Sequence, residues 1–179
     1  MKNFNLLVST SRYNEVNAKA ELWFTLLLCG DDYPILSRLN FPGLIAGLTN
    51  LNVRNVISNM KQILKKDSNF FQFILKIIPI DFVCETSVQV INQIVQMHYK
   101  DYIFNKDSFR IILKRRKSEQ IERVNFINKL AKKIPNKVDL EKPDKIVRIE
   151  ILGNITGISF LTKEEIIKSK VNKYNVNQL

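Results

Sequence analysis

The sequence is poor in the residues that build most active sites. Its 179 positions hold two cysteines, one histidine, five glycines and five prolines. Cys29 and Cys84 lie far apart among apolar neighbours, without the paired C-x-x-C spacing of a metal or redox site. Both read as small core residues. The glycines, at positions 30, 43, 47, 153 and 157, form neither G-x-x-x-x-G-K-[ST] nor G-x-G-x-x-G, so the usual phosphate-cradling loops are excluded. His98 would have to serve any Ser-His-acid or Cys-His set. It falls near the end of an amphipathic helix, where interaction with the helix dipole is the expected role. The acid pairs Asp31–Asp32 and Glu164–Glu165 sit at helix boundaries, where turn and cap duties account for them. The expectation is a chain that is not an enzyme and holds no metal or cofactor.

Long apolar runs are also missing. No stretch approaches the ~18 residues needed to cross a bilayer, and the opening residues lack a signal-type apolar region. A soluble, cytoplasmic protein without membrane binding is expected. Hydrophobic residues make up 45% and charged residues 25%, an ordinary globular balance. That length supports one domain or two small ones without disulfide or metal support.

What is present in excess is positive charge: 28 Lys plus Arg against 17 Asp plus Glu, a net of +11. It is concentrated. Residues 1–99 carry 9 basic and 7 acidic residues, whereas residues 100–179 carry 19 and 10. Such a field draws polyanions and releases condensed counterions on binding.

Along the chain, 4–8 reads as a strand. Residues 14–29 read as a helix with Val16, Ala20, Trp23, Leu26 and Leu27 as its apolar face. Two strands (34–39 and 44–49) follow around an Asn40-Phe41-Pro42-Gly43 turn. Then come a helix capped by Asn52 and a long apolar strand at 70–80. The order β-α-β-β-α-β is the ferredoxin-like pattern, placing a first domain at residues 1–82. Beyond it, Thr86 or Ser87 caps a helix bearing Val88, Ile91, Ile94 and Val95. Residues 109–114 alternate as a strand. A helix runs from Ser118 to about Ile134 with Val124, Ile127, Leu130, Ala131 and Ile134 inward. Two strands, 146–151 and 155–161, precede a closing helix from a Thr162/Glu165 capping box. The second domain is placed at 83–171 and a frayed tail at 172–179. The fold class is α+β.

The chemistry present is basic. Lys114, Arg115, Arg116 and Lys117 end a strand, Lys129, Lys132 and Lys133 line a helix, and Lys137 follows it. Arginine forks grip phosphate oxygens bidentately and lysines act as point charges. A solvated helix face explains the same lysines without a ligand. No helix-turn-helix or zinc-finger pattern supports DNA reading. Tyr13, Tyr99 and Tyr102 are candidate stacking platforms for single-stranded bases, with burial in the core the equal alternative for each.

The segment FRIILKRRKSEQIERVNFINKLAKKIPNKVDLEKPDKIVRIEI, residues 109–151, resembles the THUMP domain, most specifically at Asn136-Lys137-Val138-Asp139-Leu140, Pro143 and Val147-Arg148-Ile149-Glu150-Ile151. THUMP is an RNA-binding module shared by enzymes and adaptors of tRNA modification. An N-terminal ferredoxin-like domain before it is usual in that family. The opening LLVSTSRYNEVNAKAEL is similar to the stand-alone branch, which includes the adaptor for tRNA N4-acetylcytidine formation. The resemblance implies binding of the tRNA acceptor stem and 3′ CCA end, with presentation to a separate acetyltransferase. Family members with catalysis carry a further domain, and since the sequence stops just after this segment, no methyltransferase or ATP-pyrophosphatase domain is expected. RNA contact is carried onto Lys114, Arg115, Arg116 and Lys137, with Ser11 and Arg12 added from the first turn of the N-terminal domain. An adaptor for a methyltransferase or thiolation enzyme, and an enzyme using Asp or Glu residues, are the alternatives.

Overall fold

Leu6–Thr10 forms the first strand, β1, from an apolar run whose every second side chain meets a helix layer. The computed structural model describes residues 3–116 and 121–169. Lys117, Ser118 and the tail 172–179 lie outside the described residues. The chain divides into two compact units, residues 3–79 with the segment from Glu165 onward, and Ile80–Glu164.

In the first unit, β1 is followed by α1 (Glu15–Leu28), β2 (Ile35–Arg38), β3 (Leu44–Leu48), α2 (Val53–Lys66) and β4 (Ile74–Pro79). The strands lie in the order β2-β3-β1-β4 and every pairing is antiparallel. This is the ferredoxin-like arrangement. Asn52 caps α2 as expected, its side-chain oxygen accepting the N–H groups of Arg54 and Asn55 at 3.0 and 3.2 Å. Gly43 turns β2 into β3 at φ 76°, where a Cβ would meet the Thr10 carbonyl oxygen at 2.6 Å.

The face assigned to α1 is corrected. Ala18, Leu22, Thr25 and Leu26 are buried, while Val16 (61% exposed), Trp23 (48%) and Ala20 look outward. The helix is apolar on nearly all sides, so spacing alone leaves its rotation open. Glu21 fixes it. Its carboxylate accepts the N–H groups of Gln72, Phe73 and Ile74 at 2.5, 3.1 and 2.8 Å. Three charge-assisted bonds outweigh the few kilocalories gained by turning one more apolar side chain inward.

The second unit opens with β5 (Phe82–Glu85), a strand too short to announce itself in the sequence, then α3 (Val88–Tyr102), β6 (Phe109–Arg116), α4 (Arg123–Ala131), β7 (Lys145–Leu152) and β8 (Ile155–Leu161). The sheet order is β5-β8-β7-β6, with β6 parallel to β7 and the other pairs antiparallel. Gly153, at φ 64°, makes the β7–β8 turn. One core gathers Ile91 and Val95 of α3, Phe126 and Leu130 of α4, and Phe109, Ile111, Leu113, Val147, Ile149 and Ile151 of the sheet. Val124, expected inward, is 64% exposed because α4 starts at Arg123. Glu122 is its cap, accepting the N–H groups of Val124 and Asn125 at 2.9 and 2.6 Å.

Among the described residues no closing helix follows β8. Lys163–Glu165 makes a single 3-10 turn, and Ile167–Lys168 forms β9, which pairs with β4 in the first unit's sheet. Glu165 instead pairs with Arg54 at 2.9 Å. No helix among the described residues is long and apolar enough to cross a membrane.

Four carboxylates, Glu122 and Asp144 exposed and Glu15 and Asp139 partly buried, are held by hydrogen bonds in the native state: Glu15 by Gly43 N–H, Glu122 by those of Asn125 and Val124, Asp139 by those of Lys142 and Glu141, and Asp144 by the Ser108 hydroxyl. Each pKa is lowered from the ordinary 4.5 or 3.8. A depressed native pKa means the unfolded chain takes up its protons first. The stabilisation is then complete above the ordinary values and is lost as pH falls through the depressed ones. Urea midpoints are expected to hold between pH 7 and 5 and to drop steeply below about pH 4. Midpoints that stay level to pH 3 would contradict these assignments.

Candidate nucleic-acid interface

Strand pleat decides how the basic residues are displayed. Successive side chains of β6 leave opposite faces of the sheet. Lys114 and Arg116 therefore share one face and Arg115 takes the other, so Lys114-Arg115-Arg116 does not act as a single cluster. All three are exposed. Arg115 is engaged on its own side, where Nη1 donates to the Ile121 carbonyl and ties the end of β6 to the approach of α4.

β6 is also an edge strand. The Asn136–Leu140 segment borders only its beginning: Phe109 N–H donates to the Lys137 carbonyl at 2.9 Å, and Asp139 N–H to the Phe109 carbonyl at 2.9 Å. Asn136 anchors this segment, its Nδ2 donating to the carbonyls of Phe104 and Asp107 at 2.7 and 3.1 Å. Arg110 Nη1 donates to the Leu140 carbonyl at 2.8 Å. The resemblance motif is thus a bracket that holds Lys137 beside the start of β6.

The structure separates the candidate residues into two groups. Lys114 and Arg116 stand at the end of β6. Lys137 stands at its start, and α4 runs back from the end of β6, so Lys129, Lys132 and Lys133 lie toward that start as well. Five and seven strand steps of ~3.3 Å put Lys114 and Arg116 about 17 and 23 Å from the start of β6. All six are exposed. Lys117 lies outside the described residues. Charges on an open edge also prevent strand-to-strand aggregation, a duty Lys114 and Arg116 perform whether or not RNA is bound.

Ser11 and Arg12 belong to the first unit. The Ser11 hydroxyl accepts from Asn14 Nδ2 at 2.9 Å, a local turn role, whereas Arg12 points to solvent. Among the tyrosines, Tyr13 is 94% exposed, but Tyr99 and Tyr102 pack on the second core, with Tyr102 stacked on Phe160 at 4.8 Å. Sequence reasoning missed Phe104, 62% exposed with Lys145 Nζ 5.9 Å from its ring centre. Its place after a helix, beside a basic strand start, was the available signal.

The other ionisable candidates have structural duties. His98 stacks on Phe82 at 4.3 Å and pairs with Asp101 at 3.3 Å. Burial raises the pKa of both thiols, that of Cys84 to about 11 with help from Glu85, so neither is a ready nucleophile at neutral pH. Among the described residues no three His, Cys, Asp or Glu side chains converge as metal ligands would.

Residues 85–161 match the THUMP domain family. An 87-residue stretch is 31% identical to the THUMP domain-containing protein 1 homolog of Drosophila melanogaster, covering 45% of this chain and 27% of that protein. Solved structures show the same fold over most of the chain. PH1313 from Pyrococcus horikoshii is 18% identical at a TM-score of 0.69, covering 92% of this chain and 55% of that one. A 4-thiouridine synthetase, solved in complex with RNA and with bound ATP, is 14% identical at a TM-score of 0.59, covering 93% and 42%. TrmN from Thermus thermophilus is 12% identical at a TM-score of 0.57, covering 88% and 46%. The chain thus spans about a quarter of the fly protein and about half of these structures.

Proposed function

We propose that this chain binds tRNA through the acceptor stem and 3′ CCA end and presents it to a separate modifying enzyme, without catalysing the modification itself. The enzyme favoured by the opening LLVSTSRYNEVNAKAEL is an N4-acetylcytidine acetyltransferase. The observation that carries the RNA reading is the THUMP match over residues 85–161, combined with the exposed lysines and arginines of β6, of α4 and of the segment after it. The RNA complex of the thiouridine synthetase, which shares the fold, supports it. Phosphate contacts from Lys114, Arg116, Lys129, Lys132, Lys133 and Lys137 would supply affinity, and the single-stranded end would be recognised by shape.

Titrating purified protein with tRNA, with and without its 3′ CCA, across a salt series tests this. Salt-sensitive binding that weakens without CCA is expected, with log affinity falling ~0.7–0.9 per log salt for each phosphate contact. Binding indifferent to CCA removes the acceptor-end claim, and no binding removes the function. Co-purification separates an acetyltransferase partner from a methyltransferase or thiolation enzyme. Acetylation of tRNA by the protein and acetyl-CoA alone would overturn the adaptor role.

A further inference from the structure

The first unit holds a cavity of about 460 Å³ lined by Arg12, Tyr13, Glu15, Arg38, Asn40 and Phe41, among others. It opens where the β1–α1 loop meets the β2–β3 turn. That volume is in the range of sites for small ligands. Three features of its wall point to one kind of occupant.

The first is two uncommitted cations. Arg12 makes no hydrogen bond or ion pair among the described residues. Arg38 makes none with its side chain beyond a through-space pull on Glu15. A guanidinium is a planar fork suited to phosphate oxygens. The second is the tyrosine. Tyr13 has φ 70°, and it is the one non-glycine residue in that region among the described residues. A bulky side chain there carries strain, yet burial does not repay it, because the ring is 94% exposed. The Ser11–Asn14 turn, closed by Asn14 N–H donating to the Ser11 carbonyl at 3.2 Å, holds the ring in this outward position, where it is open to a ligand. The third is Glu15. The Gly43 N–H donates to its carboxylate at 2.6 Å, and that bond, more than the nearby Arg38, keeps it charged. A fixed acceptor beside two cations disfavours a bare anion. It suits a ligand with a phosphate at one end and a hydroxyl or amino donor at the other.

We propose that this cavity is a nucleotide subsite for RNA, with a phosphate on Arg12 and Arg38, a base against the Tyr13 ring, and a ribose hydroxyl or base amine donating to Glu15. It rests on the RNA-binding reading and adds to Arg12, already a candidate contact, the partners Tyr13, Glu15 and Arg38 around one cavity. The base contact is sequence-tolerant, since every base has a π-face, and such stacking is lost on truncation to alanine.

The test compares tRNA binding of wild type, Arg12→Ala/Arg38→Ala, Tyr13→Gly and Tyr13→Phe over one salt series, with thermal melting of each. The double arginine variant is expected to bind at least tenfold more weakly, with a salt slope shallower by about 0.7–0.9, the share of the one phosphate it would lose. Tyr13→Gly is expected to lose at least about fivefold in affinity while its melting temperature holds or rises, because glycine accepts the positive φ. Tyr13→Phe keeps the ring and should match wild type. A tyrosine needed only for folding would give the reverse, a lower melting temperature with affinity retained, and would overturn the proposal. Wild-type tRNA binding with an unchanged arginine variant would also overturn it and leave the THUMP interface standing. No wild-type binding would remove both. Titration with CMP and AMP separates the sources: monophosphate binding that needs the arginines, beside tRNA binding that does not, would assign the cavity to a free nucleotide and sink the RNA subsite.

Discussion

Replacing Lys114 and Arg116 together by alanine is expected to weaken tRNA binding by tenfold or more near 0.1 M salt while leaving the fold intact. Both side chains stand on one face at the end of an edge strand and are exposed. Two lost phosphate contacts should flatten the log–log salt slope by about 1.4–1.8. A change of slope is the signature of lost phosphate contacts, which a general loss of active protein cannot imitate. Urea stability should move by no more than ~0.5 kcal/mol, as usual for exposed substitutions. Arg115→Ala is the internal contrast. Its guanidinium bonds the Ile121 carbonyl, so its removal should cost ~1–3 kcal/mol of stability and move the salt slope less. An unchanged affinity in the double variant would place the RNA elsewhere on the molecule. The same slope change from Arg115 as from Arg116 would mean that the pleat does not divide their roles.

That division shows what the sequence could and could not convey. Strand and helix periods set the β-α-β-β-α-β order of the first unit, the Asn52 cap and the alternation of Val147, Ile149 and Ile151, because each is a local pattern with a local cause. The four consecutive cations read as a cluster since charge counting ignores the pleat. The rotation of α1 was illegible because its fixing contact runs from Glu21 to residues 72–74, some fifty positions away. β5 and β9 are short and owe their existence to partners remote in sequence, β8 and β4. At the candidate site the basic residue types were visible early. The cavity between Arg12 and Arg38 was not, because it depends on two loops meeting and on a backbone angle that no composition reveals. Arg148 and Glu150 alternate with Val147, Ile149 and Ile151 along β7, and no local pattern in the sequence marks them as inward. Both are buried, at 6% and 5% exposure.

Those two residues carry the largest stability effect expected in the chain. Two positions apart on β7, they project from the same face. Arg148 Nε donates to Glu150 Oε1 at 2.7 Å, and Nη2 lies 2.5 Å from the same oxygen. Removing either partner leaves a buried charge without its counter-ion, so Glu150→Ala is expected to cost ~3–5 kcal/mol. That is a large share of the ~5–15 kcal/mol that holds a domain folded. Replacing both by apolar residues of similar volume, Arg148→Met with Glu150→Leu, removes the desolvation cost along with the attraction and should restore stability to within ~1 kcal/mol of wild type or better. The single variants should differ. Lys114 stands directly across β6 from Glu150, whereas Arg148 faces Ile112 and Ser159. An orphaned Glu150 can draw the Lys114 ammonium toward it, but an orphaned Arg148 has no carboxylate opposite. Arg148→Ala should therefore be the milder lesion, with a tRNA affinity lowered by the diversion of Lys114. Urea unfolding of both single variants and the double, with tRNA binding of Arg148→Ala, measures this. Additive single losses in the double variant would show that the pair is not coupled, and equal costs for the two singles would remove Lys114 from the account.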